Sequence, residues 1–163
     1  MNTVGTTSAN FWFLGLHDAQ LVRLGALAER YFRDDPNTCL IKLRQFGEVL
    51  AQLVAAKAGL YRSPDEQQAD LLRRLNLERI TPRQVGALFF QLRVTGNRAT
   101  HDLAGTHDEA LTGLESSTAA GHLVSPHVWA TGGIQSRSLR SATRSRGCDG
   151  SAARRAGAAA RGA

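Results

Sequence analysis

The chain has 163 residues and a formal net charge of +6, a length that suits one folded domain with a tail. The charge is unevenly placed, because residues 1–112 hold 13 Lys/Arg and 12 Asp/Glu whereas residues 113–163 hold 7 Arg and 2 acidic residues. A net positive charge can indicate nucleic-acid binding. Here the excess positive charge lies in residues 113–163, so it gives no such indication for residues 1–112. The only cysteines, Cys39 and Cys148, exclude a disulfide framework and a cysteine-based zinc site.

Residues 1–9 are predicted to be a flexible N-terminus, since they are polar and lack the basic and apolar regions of a secretion signal. The longest apolar stretch, near residues 49–58, is interrupted by Gln52 and Lys57 and is too short to cross a bilayer. With so few cysteines, the chain fits a reducing compartment. We therefore expect a cytoplasmic location and no membrane partner.

Residues 10–112 are predicted to form an all-α bundle of four to five helices, because apolar residues recur at the helical period and no segment alternates as a strand does. The first predicted helix begins after Asp18, a favourable N-cap residue, and ends before Asp35 and Pro36. Its apolar stripe consists of Leu21, Leu24, Leu27, Ala28, Tyr31 and Phe32.

The second predicted helix runs from about residue 37 to residue 58 and is stopped by Gly59. Its polar residues are open to two interpretations: a partner-binding face, or a solvated face in which Arg44 pairs with Glu48. We favour the solvated face. The apolar stripe consists of Leu40, Leu43, Phe46, Leu50, Leu53 and Val54, and the polar face of Lys42, Arg44, Gln45 and Glu48.

Two capping signals predict the starts of the third and fourth helices. The segment 63–66, Ser-Pro-Asp-Glu, is typical of a capping box with proline at the first helical position, and the segment 81–84, Thr-Pro-Arg-Gln, repeats it. A fifth helix is predicted to begin near residue 107. The predicted buried residues are Leu71, Leu72 and Leu75 in the third helix and Val85, Leu88, Phe89 and Leu92 in the fourth.

Two further groups of residues are interpreted as structural. Arg73, Arg74 and Arg79 could contact nucleic acid, but neighbouring acidic residues offset their charge. The aromatic segment 11–13, Phe-Trp-Phe, could stack on bases, yet core or interface packing is the more ordinary use of such residues.

Residues 113–163 are predicted to be a disordered basic tail that is translated out of frame. Ala, Gly, Ser, Arg and Thr dominate this segment, and no apolar period is sustained. Re-reading residues 122–129 in the next frame permits Ile-Trp-Phe-His-Arg-Thr-Phe-Gly, a helix-compatible sequence. We therefore expect the bundle to lack one apolar wall and to be marginally stable, while the tail attracts nucleic acid non-specifically.

One polar cluster in the fourth helix contains the candidate catalytic residues Arg93, Asn97, Arg98 and His101. On a continuous helix Arg93, Asn97 and His101 share one face, where they could hold a phosphate and move a proton. The structural alternative, which we favour, places Arg93 and Asn97 against the backbone at a kink at Gly96, with His101 capping the helix end. No sequence motif indicates a cofactor or a metal ion, so neither is predicted for this chain.

Several segments resemble the extreme N-terminus of type I restriction enzyme R subunits. These are residues 11–14 (Phe-x-Phe-Leu), 28–32 (Ala-Glu-Arg-Tyr-Phe) and 35–46 (Asp-Pro-Asn-Thr-Cys-Leu-Ile-Lys-Leu-Arg-Gln-Phe). Residues 92–101 resemble the Leu-Arg-x-x-Gly-Asn-x-Ala-x-His signature of the same helical domain. The resemblance covers nearly all of residues 10–111.

The resemblance implies a non-catalytic interaction or regulatory fragment of an R subunit. In that family the helical domain precedes a nuclease domain and an ATP-driven motor, and the complete subunit cuts DNA together with methylation and specificity subunits. ATP and Mg are implied only for the full-length relative. The domain is also similar to HEPN bundles, some of which are metal-independent ribonucleases with an Arg-x(4–6)-His motif. That alternative would use Arg93 or Arg98 with His101, although neither arginine has the family spacing.

Overall fold

The computed structural model describes residues 8–129, all of which fall within one compact unit. The described residues form a short 3-10 helix followed by five α-helices and contain no strand, which confirms the all-α prediction. The 3-10 helix, which we call the N-terminal helix, spans Trp12–Leu16. The α-helices are α1 (Ala19–Tyr31), α2 (Pro36–Lys57), α3 (Gln68–Leu77), α4 (Arg83–Asp102) and α5 (His107–Trp129).

Helix α2 lies at the centre of the bundle and packs against each of the other four α-helices. Its predicted apolar stripe is buried apart from Leu53, which is half-buried against the core. Small residues outside that stripe are also buried, so α2 is covered on more than one side. These additional buried residues are Cys39, Gly47, Ala51 and Ala55.

Side-chain caps begin both α1 and α2; the cap at Asp18 was predicted, and the cap at Asp35 was not. The Asp18 carboxylate accepts hydrogen bonds from the backbone N–H groups of Gln20 at 2.7 Å and Leu21 at 3.1 Å. At α2, the Asp35 carboxylate accepts from the backbone N–H of Thr38 at 2.9 Å. Such bonds satisfy N–H groups that have no partner within the first turn. The hydrogen bonds of Asp35 to Thr38 also lower the pKa of its carboxyl.

Gly59 ends α2, which confirms another prediction. Its φ of +72° is the left-handed conformation that glycine adopts without strain. The backbone N–H of Leu60 then donates to the carbonyl of Ala55 at 2.8 Å, and the N–H of Gly59 donates to Ala56 at 3.2 Å. This pair of bonds is a Schellman motif, which satisfies carbonyls in the last turn.

The capping box predicted for residues 63–66 is wrong. Ser63 accepts a hydrogen bond from the backbone of Asp65, but α3 begins only at Gln68. The Glu66 carboxylate binds the Arg74 guanidinium instead, and each of its two oxygens accepts a hydrogen bond from a different guanidinium nitrogen. The box predicted at residues 81–84 is also wrong, since α4 begins at Arg83 without any side-chain cap.

The capping box in the described part of the chain lies at the start of α5. Thr106 Oγ1 accepts from the backbone N–H of Glu109 at 3.3 Å, and Glu109 Oε2 accepts from the backbone N–H of Thr106 at 3.2 Å. This reciprocal pairing is the Thr-x-x-Glu pattern, which stands in the sequence but was not among the predictions. It places the α5 start firmly at His107.

Helix α5 crosses residue 112, where the folded domain was predicted to end and a disordered tail to begin. Ala110, Ser117, Ala120 and Val124 are all buried in α5, and Gly113 lies among them. The prediction of disorder is therefore wrong for residues 113–129, and the expected missing wall of the bundle is present. The remaining part of the predicted tail, residues 130–163, lies outside the described residues.

Small residues explain how α5 packs without a large apolar stripe. A Cβ atom added at Gly113 would lie 2.8 Å from Leu43 Cδ1 of α2. One added at Gly121 would lie 3.1 Å from Phe13 Cζ of the N-terminal helix. The α5 backbone thus comes close to large side chains of its neighbours, which fill the interface from the other side.

The first described residues are anchored, contrary to the prediction of a flexible segment 1–9. The Glu29 carboxylate accepts from Ser8 Oγ at 2.9 Å and from the backbone N–H groups of Ala9 at 3.1 Å and Asn10 at 2.9 Å. One carboxylate of α1 therefore fixes the entry to the N-terminal helix. Residues 1–7 lie outside the described part of the chain.

Candidate functional site

The signature segment 92–101 packs at the crossing of α2 and α4. Arg44 Nε of α2 donates a hydrogen bond of 2.6 Å to Asn97 Oδ1 of α4. A Cβ atom added at Gly96 would lie 2.3 Å from Arg44 Cβ, so the aliphatic stem of Arg44 lies directly on Gly96. Glycine at position 96 allows the Arg44 stem to come this close, and the Asn97 side chain accepts a hydrogen bond from the guanidinium at the end of that stem.

A second glycine lies at the same crossing on the opposite helix. A Cβ atom added at Gly47 would lie 3.3 Å from Leu92 Cδ1. Leu92 and Ala99 are buried, one turn on either side of Gly96 and Asn97. The segments 35–46 and 92–101, which carry the sequence resemblance, therefore meet in space through Arg44, and their shared contact is structural.

The predicted structural details at this crossing need two corrections. Helix α4 continues through Gly96 without interruption, and Asn97 accepts its hydrogen bond from the Arg44 side chain rather than bonding to backbone at Gly96. Arg44 pairs with Asn97 and forms no ion pair with Glu48 in the described residues. A bond across two helices replaces the predicted bond within one helix because Arg44 points toward α4.

The remaining candidate residues do not converge. Arg98 forms an ion pair with Glu109 of α5, and the guanidinium of Arg93 lies over the Phe90 ring, 5.6 Å from its centroid. His101 is exposed, and α4 ends at Asp102, followed by Leu103 in a left-handed conformation rather than by a histidine cap. Within the described part of the chain, no hydrogen bond joins these candidates to one another, so the ribonuclease alternative has no assembled Arg–His pair.

Arg74 of α3 binds the segment that joins α2 to α3. Its Nη2 donates to Glu66 Oε2 at 2.6 Å and to the backbone carbonyl of Leu60 at 3.0 Å, while Nη1 donates to the other Glu66 oxygen. The side-chain hydrogen bond from Arg74 is the main reason that the pKa of Glu66 is lowered. The same bond raises the pKa of Arg74. Arg74 is therefore engaged within the fold, as the structural interpretation predicted.

The aromatic segment 11–13 divides between core and surface. Phe11 is fully buried, with its ring centroid 5.0 Å from that of Phe46. Phe13 stacks on His122 of α5 at 3.9 Å, whereas Trp12 is 70% exposed. Packing thus uses two of the three rings.

A concave groove lies between α3 and α4 in the described residues. It has a volume of about 430 Å³. Arg83 and Phe90, which line it, were not among the predicted functional residues. A signal was available for Phe90, because it falls outside the buried stripe of α4 and is 58% exposed. The other lining residues are Ala69, Leu72, Arg73, Asn76, Gly86, Ala87 and Arg93.

The Cys39 thiol is not activated as a nucleophile. Burial, followed by the nearby Asp35 carboxylate, raises the pKa of its thiol to about 12, so it stays protonated near neutral pH. Among residues 8–129, no group of three His, Cys, Asp or Glu side chains is placed to hold a metal ion. None of the helices in this range is long and apolar enough to span a membrane.

Comparison with known proteins links part of the chain to restriction enzymes. Over 95 residues the sequence is 38% identical to the type I restriction enzyme EcoKI endonuclease subunit of Escherichia coli strain K12. The matched region is 58% of this chain but only 8% of that protein. No family model matches the chain, and no solved structure matches it. The similarity supports a region related to a restriction enzyme.

Proposed function

We propose that this chain contains a non-catalytic interaction module of a type I restriction-modification system, related to the N-terminal part of an endonuclease subunit. The similarity to a type I endonuclease subunit supports this proposal most directly. The hydrogen bond between Arg44 and Asn97 adds that the signature segment is used to join two helices.

The partners that this function implies are the methylation and specificity subunits of the restriction complex. Arg98 and Asn97 are already bonded within the bundle, so they contribute to its shape rather than to a reaction. ATP and Mg, which the full-length relative is expected to use, have no role in this module. Its contribution is to bind another subunit through its surface.

The proposal is tested by expressing the tagged chain together with methylation and specificity subunits encoded by the same genome. We expect the chain to elute with them and to compete with an intact endonuclease subunit, which would reduce DNA cleavage by the complete enzyme. The purified chain alone should not cut plasmid DNA when ATP and Mg are supplied. Cleavage by the chain alone, or failure to associate with either subunit, would contradict the proposal.

We also propose that the chain is truncated by a change of reading frame after about residue 112. The support is the composition of residues 113–163 and the helix-compatible sequence that the next frame permits across residues 122–129. Helix α5 passes residue 112 without a break, so its packing does not mark the position of a change. Resequencing the locus tests this, and an unchanged frame without downstream motor motifs would contradict it.

A further inference from the structure

We propose that the groove between α3 and α4 is the docking site for an acidic amphipathic helix of another protein. This inference deepens the proposed interaction function and rests on it, because it specifies the chemistry of the partner. The groove combines an apolar floor with a rim of guanidinium groups, and each part restricts what can bind.

The floor of the groove is apolar and partly open to solvent. Phe90 is 58% exposed and Leu72 is half-buried at the edge of the core. Val94, one turn after Phe90, is 45% exposed and extends the same face of α4. Ala69 and Gly86 are small and leave room above this floor. Exposed apolar surface in a concave site favours a partner with an apolar stripe.

The length of the groove matches a short helix. Helix α3 has 10 residues, which corresponds to about 15 Å of rise. A partner helix of similar length could place apolar side chains against Phe90 and Leu72 at successive turns. This arrangement would cover the exposed part of the floor without rearranging the buried core.

The rim is rich in arginine. Arg73, Arg83 and Arg93 line the groove, and Arg79 lies beside Arg83 in the adjoining depression. Arg83 is exposed and forms no ion pair in the described residues. The Arg93 guanidinium lies over the Phe90 ring, so the residue that forms the floor also holds one cation of the rim. Guanidinium groups bind carboxylates in bidentate fashion, so the complementary partner is acidic.

The existing ion pair at this rim can be exchanged. Arg73 contacts Asp70 at 3.2 Å, and both side chains are more than half exposed. An exposed pair of this kind contributes about 0–1 kcal/mol. A partner carboxylate can therefore replace Asp70 at little cost.

Charge and shape favour an acidic helix over nucleic acid. Residues 8–129 contain 13 Lys/Arg and 13 Asp/Glu, so they lack the excess positive charge that attracts a polyphosphate over distance. A groove with an apolar floor and separated guanidinium groups instead matches a helix that has an apolar stripe flanked by acidic side chains.

The test uses the full chain and a fluorescent synthetic helix of about 14 residues, with leucine on one face and glutamate elsewhere. A matched peptide with lysine in place of glutamate and an oligothymidylate of about 20 nucleotides are the comparison probes. We expect the acidic peptide to bind, and Arg83→Glu to weaken that binding about tenfold. Phe90→Ser should also weaken it, while each variant keeps the circular dichroism of the parent.

The control variant is Arg23→Glu, which makes the same charge change at an exposed position of α1. It should alter peptide affinity by less than about twofold. The Arg-rich segment 130–163 is present in every variant, so its general attraction for acidic peptides does not distinguish them. The lysine peptide should bind better to Arg83→Glu than to the parent.

Four results would overturn the proposal. Equal losses in Arg23→Glu and Arg83→Glu would show general charge attraction. Oligothymidylate binding that Arg83→Glu abolishes, without acidic-peptide binding, would assign the groove to nucleic acid. Self-association that Phe90→Ser abolishes would assign it to a second copy. If the chain fails to bind the acidic peptide but still elutes with the methylation and specificity subunits, the groove proposal fails and the proposed function remains.

Discussion

Helices α2 and α5 are both packed into the bundle, but they are buried in opposite ways. In α2 the interior is filled by large side chains, including Leu43, Phe46 and Leu50, which are fully buried. In α5 the buried face contains small residues such as Ser117 and Ala120. The difference shows that burial depends on the fit between facing surfaces, because the large residues of one helix can fill the space left by small residues of the other.

The largest expected effect comes from removing α5 from residue 113 onward. A fragment ending at residue 112 would expose Leu40 and Leu43, which pack near Gly113. Each Leu-sized side chain that loses its cover contributes roughly 1.5–3 kcal/mol, so the free energy of unfolding should fall by several kcal/mol. Urea unfolding followed by circular dichroism checks this. The control fragment ends at residue 129, and equal midpoints for the two fragments would refute the packing role of α5.

The next effect concerns the large residues of α2. Phe46→Ala should lower the free energy of unfolding by about 3–5 kcal/mol, because it leaves a cavity beside Phe11. Phe90→Ala is the matched control, since its ring is 58% exposed and its loss should change stability by less than about 0.5 kcal/mol. Comparable losses in the two variants would contradict the assigned positions of these rings.

A third prediction tests the fit between α2 and α5 by enlarging a small residue of α5. Gly113→Val should destabilise the bundle by about 1–3 kcal/mol, because its added atoms meet Leu43. Thr112→Val is the control at the exposed neighbouring position. In a double-mutant cycle, Leu43→Ala should reduce the penalty of Gly113→Val by making room for it. Additive effects in urea unfolding would argue against direct contact between the two residues.

The smallest expected effect concerns the ion pair between Glu66 and Arg74, which lies outside the contact between α2 and α5. The pKa of Glu66 is lowered from 4.5 in the folded state, so its pairing with Arg74 stabilises fully above pH 4.5. That contribution is lost as the pH falls through the lower pKa of the folded state. The difference in urea midpoint between the parent and Glu66→Gln should therefore shrink in acid. A difference that grows in acid would contradict the sign of the linkage.

The positions of the helices in the first two thirds were predictable because they depend on local chemistry. The apolar period identified the buried side of α1 through Leu21 and Ala28, and the caps at Asp18 and Gly59 stand at the predicted ends. Each of these features involves residues within one or two helical turns. Local sequence contains the information that such contacts require.

The candidate site was predictable in composition but not in arrangement. The sequence shows Arg93, Asn97 and His101 at helical spacing, yet Asn97 bonds to Arg44 from a distant segment. Similarly, Glu66 was expected to cap α3 but pairs with Arg74. In both cases a long charged side chain selected its partner by distance in space, which the spacing along the chain does not reveal.

By itself, the sequence determined that the chain forms helices, where most of them begin and end, and which face of each is apolar. The tertiary structure alone decided that α5 continues through small residues, that the signature segment serves a helix crossing, and that arginines from α3 and α4 share a groove. The physical reason is that helix formation follows residues three or four positions apart, whereas close packing depends on the shape of surfaces distant in sequence.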